Sequence, residues 1–420
     1  MPSWTNTFHD GAKPDGRHAE YARCKMTKKK NDIMEKRNND NARHDEPNAI
    51  NDNITMRLKS RDWSLVLFVV FGLAMLSSCS KEDEEEESTQ PPTTTERYTG
   101  DSYGELNSPL VKNEVLQSHE TLWSCLYFGS YPANEVVNGT FDAVDAYALA
   151  EGDIITDAAL YAQLEQATWD EADDTEVNDR RYHRINALGA VAASGNRLQH
   201  YRWNDPTAWH YFAYAPIKWR VLNIKGSKAL LLAHRMPDSH PFHDRQEDVS
   251  WSNSQIRLWL NSDFLDRAFT PAEREAIDET AVTNGRNYYF GTPCGPDTHD
   301  RVFLLSEAEV FASPRAVDYG FFPSDGPNDP ARRFCSTLYA KCRGAWWSPE
   351  SSSAGNSFWF LRTNGYTMAN AVYVGDAGDI YNRGILNTCN DTALLPAITI
   401  DLSKACYTVA PAFSSSTINQ

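Results

Sequence analysis

The sequence predicts an α+β fold of short twisted antiparallel strands, two or three short helices and a loop-rich C-terminal β region. Three observations carry that expectation. Strand-like apolar runs stand at residues 126–132 and 216–233, capped helical segments follow between Ser252 and Glu309, and from Cys335 onward the chain turns aromatic, Gly-rich and Asn-rich. Strands first, helices between and strands last is the order of an α+β domain.

In chain order, Leu126-Tyr127-Phe128-Gly129-Ser130-Tyr131-Pro132 reads as an opening strand closed by its proline. Residues 133–210 are acidic and irregular, with one helical segment near 157–169, and read as an insertion. Two apolar runs, 216–224 and 229–233, flank Lys225-Gly226-Ser227-Lys228. Gly supplies the positive φ of a type II′ turn, so this is a hairpin. Ser252-x-x-Gln255 has the form of a capping box, with Ile256, Leu260 and Phe264 at helical spacing. A second helix starts at Thr270-Pro271 with Glu273, and a third at Ser306-x-x-Glu309 after a strand at 301–305. Short strands are expected at 358–362, 371–374 and 397–402, because Gly and Asn serve turns while aromatics pack pleated faces.

Ahead of the globular part, Arg57, Lys59 and Arg61 precede an apolar stretch at 65–75, then Leu76-Ser77-Ser78-Cys79 and an acidic run from Lys81 to Glu87. A positive flank, an apolar core of about 7–15 residues and small residues before a cleavage point are what a secretory signal requires. The segment resembles a bacterial lipoprotein signal, which implies lipidation of Cys79 as the mature N-terminus. The alternative is an uncleaved membrane helix, but spanning takes about 20 apolar residues and this stretch falls short. Either way the basic flank stays inside and the polypeptide C-terminal to the apolar stretch is exported. The acidic run resembles the surface-export tag of Bacteroidetes lipoproteins, which implies an outer-membrane, cell-surface location. It also suits a disordered tether, since like charges repel.

The expected organisation is an N-terminal extension at 1–55, a signal at 56–79, a tether at 80–97, one globular domain at 98–406 and a flexible tail at 407–420. The extension is polar, with Lys28-Lys29-Lys30 and many Asn, and its economical explanation is that translation starts at Met56. A basic nucleic-acid-binding arm is the alternative. Up to Cys79 there are 13 basic and 10 acidic residues, which leaves 27 basic against 47 acidic, a net −20, for the exported part. Such a body repels phosphate backbones and anionic lipid, so nucleic acid is not expected as a partner. The six cysteines of the exported body, Cys125, Cys294, Cys335, Cys342, Cys389 and Cys406, permit disulfides without fixing a connectivity, and their spacing matches no zinc motif.

Several stretches together resemble one bacterial family. They are residues 212–222, Ser250-Trp251 with 256–261, Gly295-Pro296-Asp297-Thr298-His299-Asp300-Arg301 with 302–306, then Trp359-Phe360-Leu361-Arg362-Thr363-Asn364-Gly365, Ala371-x-Tyr373-Val374 and Leu395-Pro396-Ala397-Ile398. The family is catalogued as domain of unknown function 6273, found on surface and secreted proteins, and the resemblance spans about 126–402. It implies a fold like that of the C-type lectins and formylglycine-generating enzymes. Two departures stand out: Leu395 replaces a common arginine, and a longer loop at 346–357 precedes the aromatic strand.

Candidate binding residues follow from the aromatic composition. Trp346 and Trp347 in a Ser- and Gly-rich loop suit stacking on sugar rings or apolar side chains, with core packing as the alternative. Arg362 has a planar fork for acidic groups or sugar hydroxyls, or serves as a buried partner of Asp297 or Asp300. Tyr366 joins this ligand-binding set. Trp219, Trp251, Trp259 and Trp359 lie in regular segments and read as core. His234, His240 and His243 with Asp238 and Asp244 lack the helical spacing of a zinc site, so no metal is assigned. Asp376-x-Gly378-Asp379 reads as a turn rather than a calcium loop, and Trp203-Asn204-Asp205 echoes a lectin tripeptide at the wrong place in the chain. No nucleophile elbow or phosphate loop appears, and no catalytic residue or cofactor is assigned. The expected function is a lipid-anchored surface protein with a non-catalytic domain binding a glycan or an extracellular protein. An enzyme acting on extracellular polysaccharide or peptide polymer, or a structural subunit of a surface complex, are the alternatives.

Overall fold

Two long strands, Glu120–Val137 and His210–Lys225, run antiparallel and organise the largest sheet. A computed structural model describes residues 97–416, except 99–100, 116–117, 140–148, 189–200, 202–204, 313, 325–328 and 351. The extension, the signal with Cys79, the tether up to residue 96 and Trp203-Asn204 lie outside the described residues. Contrary to expectation, Pro132 does not close the first strand. Register shifts fall between Tyr127 and Ser130 and between Pro132 and Asn134, and at such an irregularity the missing proline N–H costs the ladder little. Gly129 sits in the first shift at φ +70°, and a Cβ there would stand 2.5 Å from the Phe269 ring.

The hairpin forms as predicted. Lys225 pairs with Lys228 and Gly226 has φ +58°. Its return strand Lys228–Ala233 pairs with Ala397–Asp401, which pairs in turn with Val302–Phe303 at the sheet edge. The stretch read as an irregular insertion extends this sheet. Ile154–Thr156 pairs in parallel with the first long strand, and the hairpin Asp174–Val177 to Arg180–Ile185 adds to the second. Between them Asp157 caps the helix Ala158–Gln166.

The expected flexible tail is instead a strand. Thr408–Ser414 pairs with the first long strand, from Thr408 opposite Tyr127 to Ser414 opposite Leu122. Its docking has a side-chain cause. Phe413 stacks on Trp123 and, with Phe334, sandwiches the buried Arg220 guanidinium, the ring centroids lying 4.1 and 3.9 Å from its central carbon. Burial holds Arg220 down at about 9, well below an ordinary arginine, and the two π-faces, with bonds to His234 and the Ala331 carbonyl, offset that cost.

Trp219, Trp251 and Trp359 are fully buried, as is Trp123, whereas Trp259, also expected in the core, is half-buried and stacked on His240. Two capping boxes form as read, Thr270 with Glu273 and Ser306 with Glu309. The third, Ser252 with Gln255, does not form. Trp251–Asn253 is a 3-10 turn, so Ser254 rather than Ser252 caps Gln255–Trp259, which continues through a π-turn at Leu260–Phe264 into Leu265–Ala268.

A three-stranded sheet, Trp359–Asn364, Asn370–Val374 and Ile380–Leu386, and a two-stranded one, Thr280–Val282 with Thr298–Asp300, complete the frame of the site. The fold is mixed, mostly strand with a few short helices, and contains no closed barrel among the described residues. None of its described helices is long and apolar enough to cross a membrane.

Candidate functional site

The loop joining Val282 to Thr298 carries three consecutive aromatics into solvent. Tyr288 is 69%, Tyr289 50% and Phe290 38% exposed. The reason is the residue before them. Asn287, 2% exposed, points inward, donates to the Asn364 and Asn382 carbonyls at 2.9 and 3.1 Å, and accepts from the Tyr289 and Phe290 amides at 3.0 and 2.9 Å. That Asx turn takes the one interior position and leaves the aromatics outside. Gly291 closes the turn at φ +65°, its amide donating to the Asn287 carbonyl, and Arg286 Nη1 donates to the Gly291 carbonyl at 2.8 Å. At the root, Asn284 donates to the Pro296 carbonyl at 2.8 Å, and its amide donates to Asp297 Oδ1 at 2.7 Å. The loop is therefore held by polar bonds at both ends and at its centre.

Tyr366, from the adjoining three-stranded sheet, continues the patch. It is 54% exposed, meets Phe290 edge-on at 5.2 Å, and lies under Arg383, whose guanidinium centre is 4.7 Å from its ring. Thr292 Oγ1 donates to the Tyr366 carbonyl at 3.1 Å, tying the loop to that sheet.

Beside the loop runs a groove of about 540 Å3, walled by Tyr288 and Arg286, the hairpin residues Lys225, Lys228 and Leu230, and the helix start at Ser306 to Glu309, with Arg315 and Arg362 contributing. Arg362 is 2% exposed and belongs to the frame. It donates to the Leu304 and Thr283 carbonyls and to Asn284 Oδ1, and pairs with Glu309 at 2.5 Å. Its carboxylate is thus Glu309, not Asp297 or Asp300, because Asp300 is occupied by Arg257 at 2.6 Å and the Trp251 indole at 2.9 Å. Burial alone would raise the Glu309 carboxyl, but the charge and hydrogen bond of Arg362 and the bonds from Ser306 outweigh it and hold it below the ordinary range.

The tryptophan pair does not form a platform. Trp347 is 6% exposed, and Trp346 is half-buried, lying flat on Phe358 at 4.2 Å. The serines of that loop draw it inward: Ser348 and Ser353 hydroxyls meet at 2.9 Å, and the Ser348 amide donates to the Asn356 carbonyl. The other sequence candidates also serve the frame. His240 stacks on Trp259, His243 bonds Glu247 at 2.9 Å, and Arg220 donates to His234 at 3.2 Å. Asp376 accepts from Ser353 in a turn closed by the Gly375 amide and the Asp379 carbonyl. All six cysteines of the body are free thiols.

A second, smaller pocket of about 260 Å3 lies between Trp209, Trp259, Tyr339 and the insertion hairpin. Its basic groups are already answered: Arg343 by Asp238 at 3.2 Å, Arg267 by Asp174 at 3.4 Å and Arg184 by Asp173 at 2.9 Å. Asp238 also accepts from Tyr131 at 2.7 Å. Burial lowers His183, which bonds Asp174 at 2.8 Å. These acids and bases are tied to one another.

Arg286, Tyr288, Tyr289 and Phe290 were not among the residues singled out in the sequence. Their signal is three aromatics in a row between Asn and Gly, a run with neither helical nor strand periodicity to bury it.

Compared with known proteins, the chain matches no curated protein and no solved structure. Residues 226–414 match the family model of the domain of unknown function DUF6273, a span starting later than the resemblance at 126 implied and containing the loop, most of the groove and the three-stranded sheet. That match supports the domain-of-unknown-function family for this part of the chain.

Proposed function

We propose that this protein is a cell-surface lipoprotein, anchored through Cys79, whose domain binds an extracellular glycan on the loop Arg286 to Gly291, Tyr366 and the adjoining groove. The observation that carries the reading is a patch of four exposed aromatics, three on a loop fixed by buried asparagine bonds and Tyr366 on the sheet beside it. Exposed aromatics in one place are otherwise a liability, and their faces stack on sugar rings. Fixing the loop beforehand lowers the ordering cost of binding. The reading also gives the domain a C-type-lectin-like architecture, supported by its open sheets, short helices and long loops.

The test is a glycan array probed with the full chain in detergent, beside a pull-down from extracellular matrix. Saccharide hits that disappear in Phe290→Ala with Tyr366→Ala are expected. Hits confined to proteins, or conversion of a saccharide to products, would replace the reading with protein adhesion or catalysis.

A further inference from the structure

The groove beside the aromatic loop is cationic in a chain whose net charge is −17. Five of the side chains lining it are basic against two acidic. Two of the basic groups are neutralised within the fold: Lys228 by Asp278 at 2.7 Å and Asp401 at 3.0 Å, and Arg362 by Glu309. The remaining three, Lys225, Arg286 and Arg315, reach no carboxylate among the described residues. Arg286 donates to the Gly291 carbonyl, and Arg315 to the Tyr319 hydroxyl at 3.4 Å. All three are exposed.

We propose that this groove selects acidic saccharides, carrying carboxylate or sulfate, over neutral ones. The inference rests on the glycan-binding reading and names its ligand class. Arg286 adjoins the aromatics through Tyr288, so a sugar ring stacked on Tyr288 brings its acidic substituent toward the guanidinium fork, whose geometry suits a planar carboxylate or a sulfate edge. Lys225 and Arg315 also line the groove, and its volume of about 540 Å3 holds a short oligosaccharide segment. A nucleic-acid strand fits less well. Its phosphates recur along its whole length, and beyond the groove it would run over a body of negative net charge.

The experiment is calorimetric titration of the full chain in detergent with uronate-containing, sulfated and neutral oligosaccharides of equal length, and with a single-stranded oligonucleotide, at low and physiological salt. Acidic saccharides should bind at least about tenfold more tightly than neutral ones, with affinity that falls as salt rises, since these charges are exposed and screened. Arg286→Ala and Arg315→Ala should each weaken acidic-saccharide binding by about tenfold, the loss of one charge-assisted hydrogen bond, at unchanged melting temperature. The charge-reversing Lys225→Glu should do the same. Neutral saccharides bound as tightly as acidic ones, without salt dependence, would overturn the acidic class and leave the aromatic-loop reading standing. Binding of no saccharide at all would overturn both, and an oligonucleotide preferred over every saccharide would assign the groove to a different polymer.

Discussion

Two aromatic loops of this molecule meet opposite fates. In the loop at 346–357, Trp347 goes inside and Trp346 packs on Phe358, with the serines bonding around them. In the loop at 283–297 a polar residue, Asn287, goes inside, and Tyr288, Tyr289 and Phe290 stand out. Each loop has an interior position, and what fills it decides what the solvent meets. An asparagine can take that position because every bond it loses to water is replaced by a carbonyl or amide within 3.1 Å. Aromatic content alone therefore does not locate a binding surface.

The comparison predicts a graded series of effects. Trp347→Ala should destabilise the domain by about 3–5 kcal/mol, the usual result of emptying a buried indole site, and leave saccharide affinity per folded molecule unchanged; urea unfolding and calorimetry measure the two. Glu309→Gln should cost about 2–3 kcal/mol at neutral pH, because it removes the charge facing buried Arg362. It should also flatten the acid limb of stability. Since the Glu309 carboxyl is held low in the fold, its contribution is complete above the unfolded value of about 4.3 and disappears as pH falls through the folded value. The wild-type protein should therefore lose stability below about pH 4.3 more steeply than the variant, as unfolding across that range would record.

Asn287→Ala sharpens the contrast further. It should cost about 1–3 kcal/mol for the carbonyls and amides left without their partner and weaken glycan binding, although Asn287 is too buried to touch the ligand. Hydrogen exchange should show faster exchange at the Tyr289 and Phe290 amides. The smallest stability effect belongs to Tyr288→Ala and Tyr366→Ala, within about 0.5 kcal/mol because the side chains are exposed; a melting-temperature shift of many degrees there would mean these aromatics pack rather than bind.

What could be read in advance was local. The Gly226 turn and the Thr270 and Ser306 caps each depend on residues within a few positions, and each appears where expected. Trp219, Trp251 and Trp359 were legible as core because their segments are strongly apolar. The misses depend on distant partners. Nothing near residues 408–414 announces that Trp123 and Arg220 wait for Phe413, and nothing beside Arg362 names Glu309, 53 positions away, as its carboxylate. Pro132 reads as a stop until the register irregularity next to it is known. Tyr366 was picked out, but its neighbour Phe290 lies 76 positions earlier, so the patch exists only in three dimensions.

The central claim is that the fixed aromatic loop is the ligand-contacting surface. The most direct measurement is the affinity of the Tyr288→Ala, Phe290→Ala double variant for the strongest saccharide ligand, taken together with its melting temperature. The account predicts a loss of at least about a hundredfold, from two aromatic contacts each worth on the order of 1.5 kcal/mol, with melting unchanged. Wild-type affinity in a variant that melts normally would contradict it.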